Sequence, residues 1–137
     1  MPSTKRIVCI VDDEIDITTL FHDALKGIKG ITIITFTDPR AALKHFQANR
    51  NDYALVISDF RMPRLNGTTL LKKMKDTNEY VRSILMTAFD IEDATLRDYT
   101  KKGIINAFFQ KPIRLTDFIE VVRSELDSHK MQKRVST

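Results

Sequence analysis

Acidic side chains follow two short apolar runs of the sequence, at positions where they could do chemistry together. Asp12 and Asp13 come directly after one buried-looking run, and Asp59 follows another. Carboxylates that lie within a few ångströms repel one another, so a cluster of three would raise their pKa values or destabilise the fold unless a cation is bound. An oxygen-only set without histidine or cysteine suits a hard cation, Mg²⁺ before Zn²⁺. These residues therefore predict a magnesium site, provided that the chain brings them together.

A magnesium site of this kind favours phosphoryl chemistry on a carboxylate. Mg²⁺ held by few carboxylates keeps water ligands and can also take a phosphoryl oxygen. One aspartate would attack, the metal would neutralise charge, and a lysine would supply a second positive group. Lys111 and the hydroxyl of Thr87, each just after a further apolar run, are the candidates for these supporting roles.

The elements that must position these residues alternate along the chain. Short apolar runs predict strands, and patterns of helical period lie between them. The alternation predicts parallel strands joined by right-handed crossovers, in a doubly wound α/β fold. The strands are predicted at 6–11, 31–36, 54–58, 83–87 and 107–109, and the helices at about 17–25, from Asp38-Pro39, from Asn66-Gly67, at about 90–102 and at about 115–128.

The predicted sheet gives the aspartates a place to meet. In open α/β sheets, ligands bind beyond the carboxyl ends of the strands, where the strand order reverses. If strands one and three are neighbours, Asp12, Asp13 and Asp59 converge in one crevice with Lys111 and a hydroxyl nearby.

Length and charge set the domain organisation. At 137 residues the chain has room for one domain, and no apolar run approaches the ~20 residues that span a bilayer. The net charge is +4, and Lys130, Lys133 and Arg134 contribute three of these charges. We therefore expect a near-neutral domain at 1–128 and a basic, disordered tail at 129–137, with no membrane insertion and no direct nucleic-acid binding. The single cysteine, Cys9, fits a cytoplasmic location.

Four motifs, taken in order, resemble the receiver domains of response regulators (the CheY-like family of two-component signalling). The resemblance covers roughly residues 5–128 and depends on the spacing of the motifs after strands one, three, four and five. It implies a flavodoxin-like five-stranded parallel sheet of order 2-1-3-4-5 with five helices. The motifs are IVDDE at 10–14, SDFRMPRLNG at 58–67, MTA at 86–88 and FFQKP at 108–112.

The resemblance also implies a role for each acidic residue. Asp59 would be the phosphoacceptor. Asp13 and Asp59 would bind Mg²⁺ directly, and Asp12 would contribute mainly through water. The backbone carbonyl of Arg61 would be a further metal ligand.

Three further residues gain roles from the same resemblance. Thr87 would donate a hydrogen bond from its hydroxyl to the phosphoryl group, and Lys111 would pair with a phosphoryl oxygen. The Lys111–Pro112 peptide bond would be cis. Phe108 matches the aromatic switch position; the alternative is a residue that only fills the core. Together Thr87 and Phe108 would reshape the surface of helix four, strand five and helix five for a partner.

The expected partners follow from this chemistry. A sensor histidine kinase or a phosphotransfer protein would supply the phosphoryl group, and a downstream protein would read the switched surface, with a phosphorylation-dependent dimer as one form of output. The chain would not be an enzyme beyond its own phosphorylation and dephosphorylation.

Other interpretations remain open at this point. An aspartate-nucleophile phosphatase would normally have a DxD pattern after strand one and a cap domain, whereas this loop reads Asp12-Asp13-Glu14. A module that keeps the fold without phosphorylation would be expected to lack Asp59, Thr87 or Lys111. The chain could also be the receiver fragment of a longer regulator or hybrid kinase, with its basic tail as the start of a linker.

Overall fold

The computed structural model, which describes residues 6–88 and 94–136, contains one five-stranded parallel sheet. Its strand order is β2-β1-β3-β4-β5, so the predicted doubly wound fold and the order 2-1-3-4-5 are confirmed. The strands lie within one residue of the predicted bounds: β1 is Ile7–Val11, β2 Thr32–Phe36, β3 Tyr53–Asp59, β4 Arg82–Thr87 and β5 Ala107–Gln110.

Helices connect the strands, and two of them begin where the sequence predicts. The Asp38 carboxylate accepts a hydrogen bond from the Arg40 N–H at 2.9 Å, which caps the helix that opens at Pro39. Asn66 Oδ1 caps the next helix by accepting from the Thr69 N–H at 2.9 Å. The helices are α1 Ile15–Leu25, α2 Pro39–Asn49, α3 Gly67–Thr77, α4 Ala94–Lys101 and α5 Leu115–Ser136, with a 3₁₀ turn at Arg50–Asp52.

The start predicted for the fourth helix, at Asp90, lies outside the described residues. Within the described part of the chain, no helix combines the length and the apolar composition that crossing a membrane requires.

The sheet is covered on both faces, which explains why its central strands are continuous apolar runs. Every residue of β1 and β3 is buried. Helices α1 and α5 cover one face, where the Phe21 and Phe118 rings stack with centroids 4.3 Å apart. Helices α2, α3 and α4 cover the other face through Phe46, Met74 and Leu96. Burying each such side chain stabilises the fold by about 1.5–3 kcal/mol, so this core holds the strand ends in place.

The expectation of a disordered tail from residue 129 is wrong. Helix α5 continues to Ser136, and His129 is buried within it. No glycine or proline interrupts the sequence from 115 to 136, so nothing in the chain breaks the helix. The Arg6 guanidinium also holds this part of α5 by donating to the Leu126 carbonyl at 2.7 Å.

Candidate functional site

The strand register brings the predicted residues to one edge of the sheet. Val11, the last residue of β1, pairs with Ser58, so Asp12, just beyond β1, and Asp59, the last residue of β3, lie side by side. Because β2 lies on the other side of β1, the strand order reverses here, as expected for a ligand site in this type of fold.

The three aspartates form a compact acidic cluster. One carboxylate oxygen from each of Asp12, Asp13 and Asp59 lies within 4.8 Å of the other two. Asp12 is fully buried, Asp59 is 8% exposed, and Asp13 is exposed to solvent. The cluster therefore opens to solvent on the Asp13 side, and the predicted convergence of these residues is what the structure contains.

Lys111 supplies the positive charge of the site. Its Nζ lies 3.1 Å from Asp59 Oδ1 and 3.6 Å from Asp12 Oδ2. Burial alone would lower the pKa of Lys111, but the hydrogen bond to Asp59 and the charges of Asp12, Asp59 and Glu14 outweigh burial and raise it. The lysine is therefore held as a cation. The Lys111–Pro112 peptide bond that follows is cis, as the resemblance implied.

Asp12 is the member of the cluster whose charged form is disfavoured. Its Oδ1 accepts a hydrogen bond from the Glu14 N–H at 2.9 Å, whereas its buried Oδ2 has no hydrogen-bond partner among the described residues. Burial raises the pKa of Asp12 to about 6, and the negative charges of Asp59 and Asp13 add to this rise. The hydrogen bond from Glu14 and the positive charge of Lys111 oppose it. A buried carboxylate oxygen without a hydrogen bond is costly, so the site favours a ligand that can satisfy it.

A hard divalent cation fits this donor set. The cluster consists of carboxylates, and its fourth charged neighbour is a lysine that cannot be a metal ligand while protonated. Asp12, Asp13 and Asp59 are the side chains that could hold Mg²⁺, whose charge would relieve their mutual repulsion.

The remaining predicted residues surround the cluster. Thr87 is fully buried and follows Met86, the register partner of Asp59; its carbonyl accepts from the Lys111 N–H at 2.8 Å. Phe108 is half-buried in β5 and packs against the core beneath α2, α3 and α4. Arg61 lies two residues after Asp59 with its side chain exposed. The positions agree with the predicted roles, but those roles remain predictions.

Gly67, which the sequence places at the turn before the third helix, brings the start of α3 close to the end of β3. Its N–H donates to the Phe60 carbonyl at 2.7 Å, and a Cβ on Gly67 would overlap the Asp59 carbonyl oxygen. The first turn of α3 therefore packs directly on the backbone of Asp59. The available signal was a glycine at the first position of a helix, where it is a poor helix former.

Replacing Asp12 by asparagine is expected to stabilise the metal-free protein at neutral pH. The pKa of about 6 in the folded protein lies above the ordinary value of 3.8, so the folded state binds the proton more tightly. The free energy of unfolding therefore falls as pH rises from about 4 through about 6, by up to about 3 kcal/mol. Asp12→Asn removes this loss while keeping the oxygen that accepts the Glu14 N–H.

Urea unfolding in EDTA at pH 5 and pH 7.5 measures this effect. The free energy of unfolding of Asp12→Asn should exceed that of wild type by more at pH 7.5 than at pH 5. Asp16→Asn changes an exposed acid in the first turn of α1 and should alter the free energy of unfolding little at either pH. An Asp12→Asn variant that is less stable than wild type at pH 7.5 would show that the buried carboxylate does not carry this cost.

The comparisons with known proteins agree on one family. Residues 8–123 match the model of the response regulator receiver domain. The DNA-binding transcriptional regulator NtrC of Escherichia coli K12 is 29% identical over 95% of this chain, but the match covers 27% of NtrC. The chain thus spans about a quarter of the length of that relative. The polar-differentiation response regulator DivK of Brucella ovis is 29% identical over 90% of this chain and 97% of DivK.

Solved structures give the same result. A receiver domain protein from Clostridium thermocellum superposes with a TM-score of 0.81 at 25% identity, over 93% of this chain and 98% of that chain. The response regulator TrrA of Thermotoga maritima, solved in complex with Mg²⁺ and BeF, superposes with a TM-score of 0.71 at 27% identity, over 88% of this chain and 98% of that one.

Proposed function

We propose that this chain, which belongs to the response regulator receiver domain family of two-component signalling, accepts a phosphoryl group on Asp59 in a Mg²⁺-dependent reaction. The main support is a single arrangement: the Lys111 ammonium lies 3.1 Å from the Asp59 carboxylate, inside a cluster of three aspartates. This arrangement joins a nucleophile, a fixed positive charge and candidate metal ligands at one opening of the protein.

In the proposed reaction, a carboxylate oxygen of Asp59 attacks the phosphorus of the donor, and the bond from phosphorus to the donor breaks. The Lys111 ammonium pairs with a phosphoryl oxygen, and the Thr87 hydroxyl donates to another. Because the Lys111 ammonium is held beside Asp59 before the reaction and is partly shielded from water, its charge stabilises the transferred group strongly.

Asp12, Asp13 and Asp59 would hold Mg²⁺, with the Arg61 carbonyl as a further ligand. When bound there, Mg²⁺ supplies positive charge that neutralises the phosphoryl oxygens. The oxygen-only donor set and the unsatisfied Asp12 Oδ2 support this choice. The similar TrrA, solved with Mg²⁺ and BeF, supports it independently.

The proposed donor is the phosphohistidine of a sensor histidine kinase or of a phosphotransfer protein in the cytoplasm. Phosphorylation would draw the Thr87 hydroxyl toward the new group and shift Phe108 inward, which biases a two-state equilibrium of the α4-β5-α5 surface. A downstream protein, or a second copy of the chain, would bind the shifted surface. We propose no chemistry beyond self-phosphorylation and self-dephosphorylation.

Incubation with acetyl phosphate tests the proposal directly. With Mg²⁺ present, intact mass should show one added phosphoryl group per chain; with EDTA in place of Mg²⁺, the adduct should fall to background, because the clustered carboxylates would then repel the anionic donor. Unfolding curves recorded in both buffers control for loss of the fold. An adduct of equal yield in EDTA, or none in Mg²⁺, would remove the proposal.

A further inference from the structure

A second group of charged residues lies at the opposite end of the sheet, where the strands begin. Arg6, just before β1, reaches α5: its Nη2 lies 2.7 Å from the Leu126 carbonyl and 3.1 Å from His129 Nδ1. These contacts join residues more than a hundred positions apart in the sequence. They hold α5 at the point where it extends beyond the predicted end of the domain.

The contact with Arg6 requires His129 to be neutral. A guanidinium can only donate, so His129 Nδ1 must accept, and its proton resides on Nε2. A proton on Nδ1 would set two donors against each other. His129 is 4% exposed, and its Nε2 has no hydrogen-bond partner among the described residues, so water cannot solvate a charged ring there.

The charges that surround His129 also oppose its protonation. Arg6 approaches from β1, Arg82 from β4, and Lys133 from the next turn of α5. Two acids lie in the same region: Glu125 Oε1 accepts from Arg82 Nε at 2.8 Å, and the charge of Asp127 raises the pKa of Arg6 against the larger, lowering effect of burial.

Arg82 is the second arginine that contacts the same stretch of α5. Besides its ion pair with Glu125, its Nη1 donates to Gln132 Oε1 at 3.2 Å. Residues 130–134 are exposed, so this part of the helix buries little side-chain surface of its own. Its order therefore depends on these few polar contacts, as is typical of segments that open locally.

We propose that Arg6 and Arg82 form a proton-released latch on α5, in which protonation of His129 frees the helix beyond Leu126. The latch makes the order of residues 127–136, and hence the placement of Lys130 and Lys133, depend on pH. It lies at the amino-terminal edge of the sheet and acts independently of the aspartate cluster at the carboxyl edge.

The size of the pH effect follows from the difference in the pKa of His129 between the latched and the released helix. Burial, with Arg6, Lys133 and Arg82, lowers the pKa of His129 to about 4, against 6.5 for an unconstrained histidine. Protons therefore bind the released helix more tightly than the latched one, and lowering the pH favours release. Between pH 7.5 and pH 5 the equilibrium constant for local opening should rise about 30-fold.

Hydrogen exchange on the full chain tests the latch. After correction for the intrinsic pH dependence of exchange, amides of 127–136 should open about 30-fold more often at pH 5 than at pH 7.5, while those of β3 stay unchanged. His129→Gln keeps an acceptor for Arg6 but cannot be protonated, so its exchange should lose this pH dependence. In an NMR titration of the wild-type protein, the pKa of the His129 ring should lie well below that of an exposed histidine.

Each of these results can overturn the latch. If His129 titrates near 6.5 or above, the ring is not held neutral by Arg6. If 127–136 opens no more at pH 5 than at pH 7.5, or opens equally in His129→Gln, protonation of His129 does not release the helix. Should His129→Gln fail to fold, the wild-type titration and exchange still decide the question.

Discussion

Asp59→Asn is expected to abolish the phosphoryl adduct formed with acetyl phosphate and Mg²⁺. The asparagine amide has nearly the same shape but lacks the negative charge that makes the carboxylate a nucleophile. It also removes the negative charge that pairs with the Lys111 ammonium 3.1 Å away, so both the nucleophile and the ion pair are lost. Intact mass after incubation measures the yield.

Asp52→Asn is the matched control. Asp52 lies just before β3, at the other end of the strand that carries Asp59, and is only partly exposed. Its loss should leave the adduct at the wild-type level. An adduct that persists in Asp59→Asn, or that disappears equally in both variants, would show that the phosphoacceptor has been assigned to the wrong residue.

Gly67→Ala is expected to damage both stability and phosphorylation. The added Cβ would overlap the Asp59 carbonyl oxygen and lie 2.9 Å from the Leu85 side chain and 3.0 Å from the Asp59 carbonyl carbon. Because two of these atoms belong to backbone, either α3 or the end of β3 must shift. Overpacking of this kind costs about 1–3 kcal/mol, and a shift of Asp59 also misplaces its carboxylate relative to Lys111.

Gly27→Ala provides the comparison for this variant. No atom of the described residues lies within 4 Å of a Cβ at Gly27, and its φ is not in the left-handed region. Its stability should stay within about 0.5 kcal/mol of wild type. Thermal unfolding and the yield of adduct measure both variants, and a Gly67→Ala protein that matches Gly27→Ala in both would contradict the close packing of α3 on Asp59.

Much of the fold was predictable because the burial pattern is simple. Strands β1, β3 and β4 are covered on both faces, so their residues form continuous apolar runs that the sequence displays directly. The starts of α2 and α3 depend on local chemistry, the side-chain caps Asp38 and Asn66, and local chemistry can be read from neighbouring residues. The strand order depended on the resemblance as well as on the pattern.

The end of α5 was not predictable in the same way. Its last turns contain no apolar side chain in the described core, and they are held by Arg6 and Arg82, which come from distant parts of the chain. Periodicity reports burial of apolar residues, so a helix held by long-range polar contacts leaves no such signal. A basic, polar segment with this composition would otherwise be expected to fray.

The acidic cluster was predictable in its membership but not in its internal differences. In the sequence Asp12 and Asp13 are adjacent, and only the resemblance gives them different roles; in the fold one is fully buried and the other is exposed. That difference raises the pKa of Asp12 and makes the metal-free site costly. Functional sites commonly carry such local costs, which the rest of the fold must offset.

Chemical trapping of the acyl phosphate tests the central claim most directly. After incubation with acetyl phosphate and Mg²⁺, borohydride reduces an aspartyl phosphate to the alcohol, which marks the residue permanently. The tryptic peptide spanning 51–61 contains both Asp52 and Asp59, so fragmentation of this one peptide distinguishes them. We predict that the alcohol appears at Asp59. A mark at Asp52, Asp12 or Asp13, or no mark in protein that has gained a phosphoryl group, would contradict the account.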